Sequence, residues 1–348
     1  MKKLRIGFLS TANIGRKNWK AVFHSGNSIV TAVASRDEER SRKFISECQS
    51  EAAFETPPAA LGSYEELLAS KDVDAIYIPL PTGLRRDWVV RAAEAGKHVL
   101  CEKPCATSAS GLETMISACR KNRVQFMDGV MFMHNRRLDQ IRAVLDDGAS
   151  LGPLKRITSH FSFLGGEDFL RGNIRADGAL EPFGCLGDLG WYCIRFALWT
   201  MNWQMPSRIY GRVISRAGNN SSGVPLEFSG ELLFDGGVSS GFYCSFLTAP
   251  RQWTDISGVK GALRVPNFVV PIAVGETAFE VNNRAVPSDH SAGHPSMTQE
   301  ANMIRNFADQ IFSGELNDEW PMWALKTQEV LNSCFEAAKQ NTPRKIAR

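Results

Sequence analysis

The sequence lacks a long apolar run, a block of like charge and any Cys-x-x-Cys pair. A membrane-spanning helix needs about 20 consecutive apolar residues, so no membrane association is expected, and no secretory signal with a cleavage site follows Met1. A net charge of +3 over 348 residues is too small to indicate nucleic acid as a partner. The eight cysteines have no metal-ligand spacing, which argues against a metal site and a disulfide framework and favours a reduced, cytoplasmic protein.

Hydrophobic residues make up 43% of the chain, and in its first half they form short strands that alternate with helical stretches. Strands that alternate with helices of this length indicate a mostly parallel sheet with crossover helices. We therefore predict an α/β, Rossmann-type, doubly wound dinucleotide-binding domain over residues 1–128. The predicted strands are Leu4–Leu9, Ile29–Ala34, Val73–Ile78, His98–Cys101 and Val124–Met127.

From about residue 151 the pattern changes to long successive strands, and Asp235-Gly236-Gly237 between two of them is a hairpin signal. One helix, over Leu186–Met201, interrupts these strands. The pattern predicts an α+β C-terminal domain with a large open antiparallel sheet over residues 129–325, for substrate binding and oligomerisation. A helix over 326–348 is predicted to pack back towards the first domain.

The turn after the first strand is the candidate phosphate-binding loop. A dinucleotide fold needs a tight turn there, because backbone N–H groups and the N-terminus of the next helix bind the pyrophosphate. Only the third glycine of the usual GxGxxG pattern is present, but Ser10 and Ala12 are small enough for a phosphate to approach. The weak pattern gains weight from its position between a strand and a helix. The stretch reads Ser10-Thr11-Ala12-Asn13-Ile14-Gly15.

The end of the second strand selects between NAD and NADP, because an Asp or Glu there binds the ribose 2′-OH. This chain has Ser35 and Arg36 instead, and a hydroxyl with a guanidinium suits a 2′-phosphate. We therefore predict NADP as the preferred cofactor, with NAD as the alternative. The competing interpretation is that Arg36 is a solvated residue that only opens the next helix.

Glu102-Lys103-Pro104 follows the predicted strand His98–Cys101. A lysine at the C-terminal end of a parallel strand points into the crevice where open α/β sheets bind their ligands. Pro104 restricts the backbone around it. An exposed loop lysine is the alternative, since lysine is mostly exposed. In this setting Lys103 is the main catalytic candidate.

A second polar group lies on the predicted helix over Leu186–Met201. Asp188 and Tyr192 are four residues apart and share a helical face, and Arg195 is close to that face. Polar residues on an otherwise apolar helix need a partner or a function. A buried hydrogen-bonded group without chemistry is the alternative.

Together these features resemble the glucose-fructose oxidoreductase / inositol dehydrogenase (Gfo/Idh/MocA) family over essentially the whole chain. The Glu102-Lys103-Pro104 motif and the Asp188-x-Gly190-x-Tyr192 helix occur in the family's order. Tyrosine at 192 is similar to the glucose-fructose oxidoreductase and dihydrodiol dehydrogenase branches. The resemblance implies reversible oxidation of a carbohydrate-type secondary alcohol by hydride transfer to a nicotinamide.

The resemblance also implies roles for single residues. Lys103 would hydrogen-bond the reacting hydroxyl, Tyr192 would act as acid/base, and Asp188 would bind a substrate hydroxyl or hold the proton-transfer group. A tyrosine has an ordinary pKa of about 10, which must fall for work near neutrality, and an adjacent lysine cation lowers it. His134 and Arg175 are further substrate-binding candidates, although a lone histidine is also commonly structural. The cofactor-binding candidates are Ser10, Thr11, Ala12, Asn13, Ile14, Gly15, Ser35, Arg36, Pro79, Leu80, Pro81, Thr82, Glu102 and Lys103.

One departure from the family pattern follows the third long strand of the nucleotide domain. Many members have Asn-x-x-His there, whereas this chain reads Thr82-Gly83-Leu84-Arg85. The expected contacts to the ribose and nicotinamide are therefore altered, and Arg85 is a candidate for part of the missing role.

The leading functional interpretation is an NADP(H)-dependent oxidoreductase that acts on a sugar, a sugar derivative or a cyclic diol. One alternative is a nicotinamide-dependent glycosidase of the same fold, which shows no net redox change. The other is a non-catalytic cofactor-binding sensor or scaffold. We also predict a homodimer or homotetramer that forms through the open face of the C-terminal sheet, with Phe242, Phe246 and Trp253 exposed on that face.

Overall fold

The computed structural model of the protein describes residues 2–167, 169, 178–218, 223–270, 278–287 and 295–340. Contacts divide the described chain into two compact units. The first contains the residues up to 139 together with 295–325, and the second contains 140–270, 278–287 and 326–340. This division differs from the one predicted at residue 128, because residues 129–139 and 295–325 group with the first unit.

The first unit contains a parallel sheet of short, apolar strands. Their bounds are β1 Leu4–Leu9, β2 Ser28–Ala34, β3 Ala59–Leu61, β4 Ala75–Ile78, β5 His98–Cys101 and β6 Phe126–Asp128. The order in the sheet is β3-β2-β1-β4-β5-β6, and all the paired neighbours are parallel. This is the Rossmann order, in which the carboxyl ends of the strands meet at one edge. The predicted doubly wound fold is confirmed.

Helices connect these strands and continue through the chain. Their bounds are α1 Asn13–Ser25, α2 Glu38–Glu51, α3 Tyr64–Ala69, α4 Thr82–Glu94, α5 Ala109–Lys121, α6 Arg137–Asp146, α7 Trp191–Thr200, α8 Gln299–Ser313 and α9 Glu319–Gln340. A 3₁₀ turn, Met131–His134, follows β6, and a π-helical turn, Leu186–Gly190, precedes α7. Among the helices of the described residues, none has both the length and the apolar character that a membrane span requires.

The core of the first unit is built around α1. The ring of Trp19 is fully buried, packs edge-on against Phe8 and Phe44, and donates its indole N–H to the carbonyl of Ala52 at 2.8 Å. The same cluster includes Phe307 of α8. Burial of aromatic rings of this size fixes α1 against the sheet. The N-terminus of α1 lies directly after β1 in the chain.

Helix α4 begins earlier than its sequence predicts. It begins at Thr82, immediately after Pro81. Thr82 and Gly83 are weak helix formers, which favours a loop on propensity alone. The structure therefore moves Arg85 from a loop into the first turn of a helix and buries it.

The second unit contains a larger, mixed sheet. Its strands are β7 Leu154–Leu164, β8 Arg208–Arg216, β9 Pro225–Leu233, β10 Ser239–Ser245, β11 Leu247–Gly258, β12 Ala262–Pro266, β13 Phe279–Val281 and β14 Arg284–Val286. Their order is β14-β13-β12-β11-β7-β10-β9-β8, and every pair is antiparallel except β7 with β10. The predicted hairpin at Asp235–Gly237 joins β9 and β10, and Gly236 adopts a φ of 81° there.

The two faces of this sheet differ in burial. Phe242 and Phe246 were predicted to be exposed, and this is wrong: they are 4% and 0% exposed. Side chains alternate between the two faces of a sheet along each strand. Phe242 lies on the face that Gly190 of the π-helical turn approaches. Trp253 instead pairs in register with His160 on the opposite, partly exposed face, beside Tyr243.

All eight cysteines are buried and free. Burial raises the pKa of the Cys48 thiol to about 11 and that of Cys119 to about 12. The Sγ atoms of Cys185 and Cys244 lie 3.9 Å apart, as two thiols in contact rather than a disulfide. Cysteine therefore acts here as a small buried hydrophobe.

Candidate active site

Four loops with predicted site residues lie at the carboxyl edge of the first sheet. They follow β1, β2, β4 and β5, so the stretches Ser10–Gly15, Ser35–Arg36, Pro79–Thr82 and Glu102–Lys103 all leave the sheet at this edge. Parallel strands bring together residues that are distant in sequence. The sheet therefore places all of the predicted cofactor-binding stretches on one side of the first unit.

The loop after β1 adopts a glycine-like conformation without the first glycine. Ser10 has a φ of 129°, a region that glycine enters readily and other residues rarely do. Its hydroxyl accepts a hydrogen bond from the backbone N–H of Ala12 at 3.3 Å, which partly compensates for the unfavourable conformation. No side chain caps the start of α1, and its first turn contains no acidic residue.

Gly15 retains the packing role of the third glycine. A Cβ atom at this position would lie 3.1 Å from a ring carbon of Phe44 in α2, closer than a side chain normally permits. The contact between these helices therefore leaves little room for a side chain at residue 15.

Two arginines, Arg36 and Arg40, follow the end of β2. Ser35 is buried, and its hydroxyl donates to the carbonyl of Asp37 at 2.9 Å, while Arg36 is exposed. Burial raises the pKa of Tyr64, and the positive charges of Arg36 and Arg40 oppose that rise. Sequence reasoning missed Arg40, although it lies one helical turn beyond Arg36.

The end of β5 is supported by a buried polar network. Glu102 is only 8% exposed, and one of its carboxylate oxygens accepts a hydrogen bond from the Tyr77 hydroxyl at 2.7 Å. Asn18 of α1 donates to Tyr77 at 2.6 Å and to Glu102 at 3.4 Å. The other carboxylate oxygen of Glu102 accepts the backbone N–H of Lys103 at 3.3 Å. The carboxylate of Glu102 therefore supports the main chain from which Lys103 projects.

Tyr77 and Asn18 were not among the predicted site residues. A weak signal was available, since Tyr77 has the only polar side chain in the apolar stretch Ala75–Ile78. A buried phenol requires a hydrogen-bond partner, and Glu102 supplies it. The pairing joins residues on β4 and after β5, which no spacing in the sequence indicates.

The loop after β4 is closed against the loop after β5. Leu80 and Thr82 are 5% and 2% exposed, and the Thr82 hydroxyl donates to the carbonyl of Pro104 at 3.3 Å. The Lys103–Pro104 peptide bond is cis. Lys103 itself is partly buried.

Asp188 and Tyr192 belong to the second unit. Asp188 lies in the π-helical turn, is partly exposed, and is close enough to Cys244 for its charge to raise the pKa of that thiol further. Tyr192 lies in the first turn of α7, is 7% exposed and packs against Phe161 with ring centroids 5.7 Å apart. The predicted catalytic residues are thus divided between the units, with Lys103 in the first.

Arg195 has a packing role. It is completely buried, its Nε donates to the Thr327 hydroxyl at 2.7 Å, and its guanidinium lies 5.8 Å from the ring centres of Trp191 and Trp203. The third polar residue predicted on this helix therefore anchors α7 to α9.

His134 lies in a different cavity from the strand-end loops. Its Nδ1 is 3.0 Å from the side-chain amide of Asn306, and its ring packs edge-on against Trp320. The cavity has a volume of about 470 Å³, and α8 and α9 contribute much of its lining, including Asp309. The side-chain amide of Asn27, at the amino end of β2, donates a hydrogen bond to the carboxylate of Asp309. Arg175, the other predicted substrate-binding residue outside the motifs, lies outside the described residues.

Comparison with known families identifies both halves of the chain. Residues 4–130 match the model described as an oxidoreductase family with an NAD-binding Rossmann fold, and residues 138–264 match the GFO/IDH/MocA C-terminal domain. The chain belongs to the GFO/IDH/MocA family. The predicted family, the oxidoreductase activity and the nicotinamide dinucleotide cofactor are confirmed.

Members of the GFO/IDH/MocA family with curated names resemble this chain along most of its length. D-xylose 1-dehydrogenase (NADP(+)) 2 of Haloferax volcanii is 33% identical, over 97% of this chain and 98% of the relative. Trans-1,2-dihydrobenzene-1,2-diol dehydrogenase of Xenopus laevis is 30% identical, over 89% of this chain and 88% of the relative. A solved 3-ketoreductase of Actinomadura kijaniata, in complex with NADP and TDP-benzene, has a TM-score of 0.82 and 25% identity, over 97% and 98% of the two chains.

The loops of this GFO/IDH/MocA protein fit the dinucleotide that the family binds. The glycine-like turn at Ser10, the small side chain of Ala12 and the uncapped start of α1 suit a pyrophosphate at the N-terminus of this helix. Ser35 and Arg36 directly follow β2, where the adenosine ribose is bound in this fold. The carboxylate of Asp37 caps α2 by accepting the N–H of Glu39 at 3.0 Å, so it is engaged in the helix.

Proposed function

We propose that this protein is an NADP(H)-dependent oxidoreductase that interconverts a secondary alcohol and a ketone, or the corresponding sugar lactol and lactone. The observation that carries this proposal is the support of Lys103. Buried Glu102, Tyr77 and Asn18 hold the backbone at the carboxyl end of β5, where ligands of this fold bind. A surface lysine without a function would not need a buried network beneath it.

The preference for NADP(H) is supported by charge at the end of β2. The positive charges of Arg36 and Arg40 both lower the pKa of Tyr64, and the nearest acidic residue along the chain, Asp37, caps a helix. An arginine binds phosphate through a planar pair of donors, which suits a ribose 2′-phosphate. The xylose dehydrogenase relative is named as NADP-dependent, and the 3-ketoreductase structure contains NADP.

In the proposed reaction Lys103 and Tyr192 act on the reacting oxygen and its proton, and Asp188 positions the substrate. The strand-end loops would hold NADP⁺, which would supply the hydride acceptor for the alcohol carbon. The Lys103 ammonium donates a hydrogen bond to the reacting oxygen and stabilises the negative charge that develops on it. Tyr192 accepts the hydroxyl proton as the carbonyl forms and returns it in the reverse direction. Asp188 binds a neighbouring hydroxyl and orients the substrate.

The substrate class is proposed to be a sugar, a sugar derivative or a cyclic diol. Relatives of this chain are named for D-xylose, for a dihydrodiol of benzene and for a dTDP-linked dideoxysugar. All of these compounds present a hydroxyl or keto group on a ring, next to a ring oxygen or to a second hydroxyl or keto group.

A substrate screen tests the proposal directly. The purified chain is incubated with NADP⁺ or NAD⁺ and a panel that contains D-xylose, other aldoses and a trans-dihydrodiol, and the reduced nicotinamide is measured. We expect continuous reduction of NADP⁺, which a glycosidase with no net redox change would not produce. Lys103→Met and Tyr192→Phe should each lower turnover by about 10²–10⁴-fold. Wild-type turnover in both variants would contradict the assignment.

We further propose that the chain forms a homodimer through the partly exposed face of the second sheet. His160, Tyr243 and Trp253 form an aromatic cluster there, with ring centroids 5.0 and 5.8 Å from His160. Opposite charges surround this cluster, with Arg156 paired to Glu231 and Arg264 at 3.7 Å from Asp255. An aromatic centre with a polar rim is the usual composition of a protein interface.

A further inference from the structure

A buried guanidinium joins the two loops that flank Lys103. Arg85, in the first turn of α4, is 5% exposed. Its Nε donates to the carbonyl of Leu80 at 2.6 Å, and its Nη1 donates to the Thr82 hydroxyl at 3.2 Å. The same Nη1 also donates to the carbonyl of Pro104. One side chain therefore contacts the loop after β4 and the residue directly after Lys103.

These contacts connect the ends of two neighbouring strands. β4 and β5 are paired in register up to Ile78 and Cys101, after which their chains separate into the two loops. The Pro104 carbonyl accepts hydrogen bonds from Arg85 and from Thr82, so its direction is fixed by two donors. A guanidinium holds its donors in a rigid planar fork, and a lysine ammonium cannot reproduce that geometry.

Lys103 is consequently fixed on both sides along the chain. The carboxylate of Glu102 accepts the backbone N–H of Lys103, and Arg85 holds the carbonyl of the next residue, Pro104. Each hydrogen bond constrains a different peptide group. Together they determine where the Lys103 side chain leaves the backbone.

We propose that Arg85 is a positioning residue for Lys103, which acts by holding the Pro104 carbonyl and so sets the direction of the lysine side chain. This inference rests on the proposed catalytic role of Lys103. Many family members have a histidine at position 85. The proposal gives Arg85 a specific function there, which this buried side chain performs through its hydrogen bonds to the protein.

The expected consequence of this geometry is a selective loss of turnover. A displacement of about 1 Å at a reacting group can cost about 10²-fold in rate. Arg85→Lys should therefore lower kcat by about 10- to 100-fold. The Kd for NADPH should change by a smaller factor, because the hydrogen bonds of Arg85 to Leu80, Thr82 and Pro104 involve the loop after β4 but neither Ser10–Gly15 nor Ser35–Arg36. Arg86→Lys is the matched control, since Arg86 is the exposed neighbour and pairs with Asp87.

The decisive experiment is a double-mutant cycle with full-length protein, using D-xylose and NADP⁺, or the most active compound of the substrate screen. Wild type, Arg85→Lys, Lys103→Met and the double variant are compared for kcat, for NADPH binding by fluorescence and for melting temperature. If Arg85 acts through Lys103, Arg85→Lys lowers kcat in the wild type but changes it by less than about threefold in the Lys103→Met background. Partial recovery of Arg85→Ala by added guanidinium would give further support.

Each contrary result has a distinct meaning. Full turnover in a folded Arg85→Lys variant, together with a large loss in Lys103→Met, overturns the role of Arg85 alone. Equal losses from Arg85→Lys in both backgrounds overturn it too, because they indicate a general structural effect. If even Arg85→Lys fails to fold, Arg85 is a folding residue and the inference is wrong. Full turnover in Lys103→Met, or no turnover with any substrate, removes the proposed function and the inference with it.

Discussion

The Tyr77 hydroxyl donates a hydrogen bond of 2.7 Å to the carboxylate of Glu102, the residue directly before Lys103. Burial, the charge of Glu102 and the hydrogen bond itself raise the pKa of Tyr77 well above 10, so the phenol remains a donor throughout the pH range of the folded protein. Glu102 is one of the few buried carboxylates of the described chain and needs such donors. The network links strand β4, helix α1 and the catalytic candidate.

Tyr77→Phe should weaken both stability and turnover. The substitution preserves the ring but removes one of the donors to Glu102, and a buried acceptor left short of a donor costs about 1–3 kcal/mol. We expect a lower free energy of unfolding in urea and a reduced kcat. Tyr210→Phe serves as the control, because Tyr210 is 50% exposed and should lose neither. An unchanged unfolding curve for Tyr77→Phe would show that the Tyr77–Glu102 bond adds nothing to stability.

Arg36→Glu should reverse the cofactor preference. A carboxylate at the end of β2 repels a 2′-phosphate and can accept a hydrogen bond from a 2′-OH. The Kd for NADPH should rise by about tenfold or more, while the Kd for NADH stays the same or falls. Fluorescence titration of both cofactors measures this. Arg42→Gln is the control: Arg42 lies at an exposed position of α2 and pairs with Glu38, and the variant should bind both cofactors as the wild type does.

Acidification should destabilise the first unit through His98. Burial lowers the pKa of His98 below its ordinary value of 6.5, and its Nδ1 accepts the backbone N–H of Gln125 at 2.9 Å. The folded state therefore binds this proton less readily than the unfolded state. The contribution of neutral His98 to the free energy of unfolding is fully present above the pKa that His98 has in the unfolded state. It decreases as pH falls below about 6.5 and levels off below the pKa of His98 in the folded state.

His98→Asn tests this pH dependence. The asparagine amide oxygen can accept the Gln125 N–H but does not titrate. Wild type should lose more unfolding free energy than the variant between pH 7.5 and pH 5, as measured by urea denaturation at each pH. Parallel losses in the two proteins would assign the acid sensitivity to other groups, such as His160, whose pKa burial also lowers.

Trp253→Arg should abolish the proposed dimer. A cation inserted at the centre of the aromatic cluster would have to lose its hydration on association, which is unfavourable. The substitution also removes the ring contacts of Trp253, so both effects weaken the interface. Sedimentation velocity at micromolar concentration should show a dimer for the wild type and a monomer for the variant. Phe312→Arg, which changes an exposed ring in the first unit, should leave the dimer intact. A monomeric wild type would refute the proposal.

Sequence patterns identified the elements with strong local signals. β5 begins and ends as predicted, at His98 and Cys101, because a short apolar run is bounded by a helix-terminating glycine and by the Glu102-Lys103-Pro104 motif. The start of α4 was missed because Pro81, Thr82 and Gly83 are turn formers by local propensity. Tertiary contacts override that propensity here, since Arg85 must reach the Leu80 and Pro104 carbonyls.

The two faces of the second sheet were harder to separate. Phe242 and Trp253 lie in different strands, and alternation alone does not reveal whether the odd-numbered or the even-numbered residues of each strand face the helix. The register between strands decides it: Trp253 lies opposite His160, and Phe242 lies opposite Ser159 in the parallel β7–β10 pair. Likewise, the Tyr77–Glu102–Asn18 network joins three separate elements, and no local pattern encodes such a contact.

The burial of all eight thiols equips the chain with its own reporters of local opening. A thiol-specific reagent reacts with the exposed thiolate, so a sequestered cysteine is labelled only when the surrounding structure transiently unfolds. Cys48 belongs to the first unit and Cys334 to the second. The relative labelling rates of these two positions in the native protein would therefore measure, without any substitution, which half of the molecule opens more readily and how far a bound cofactor protects it.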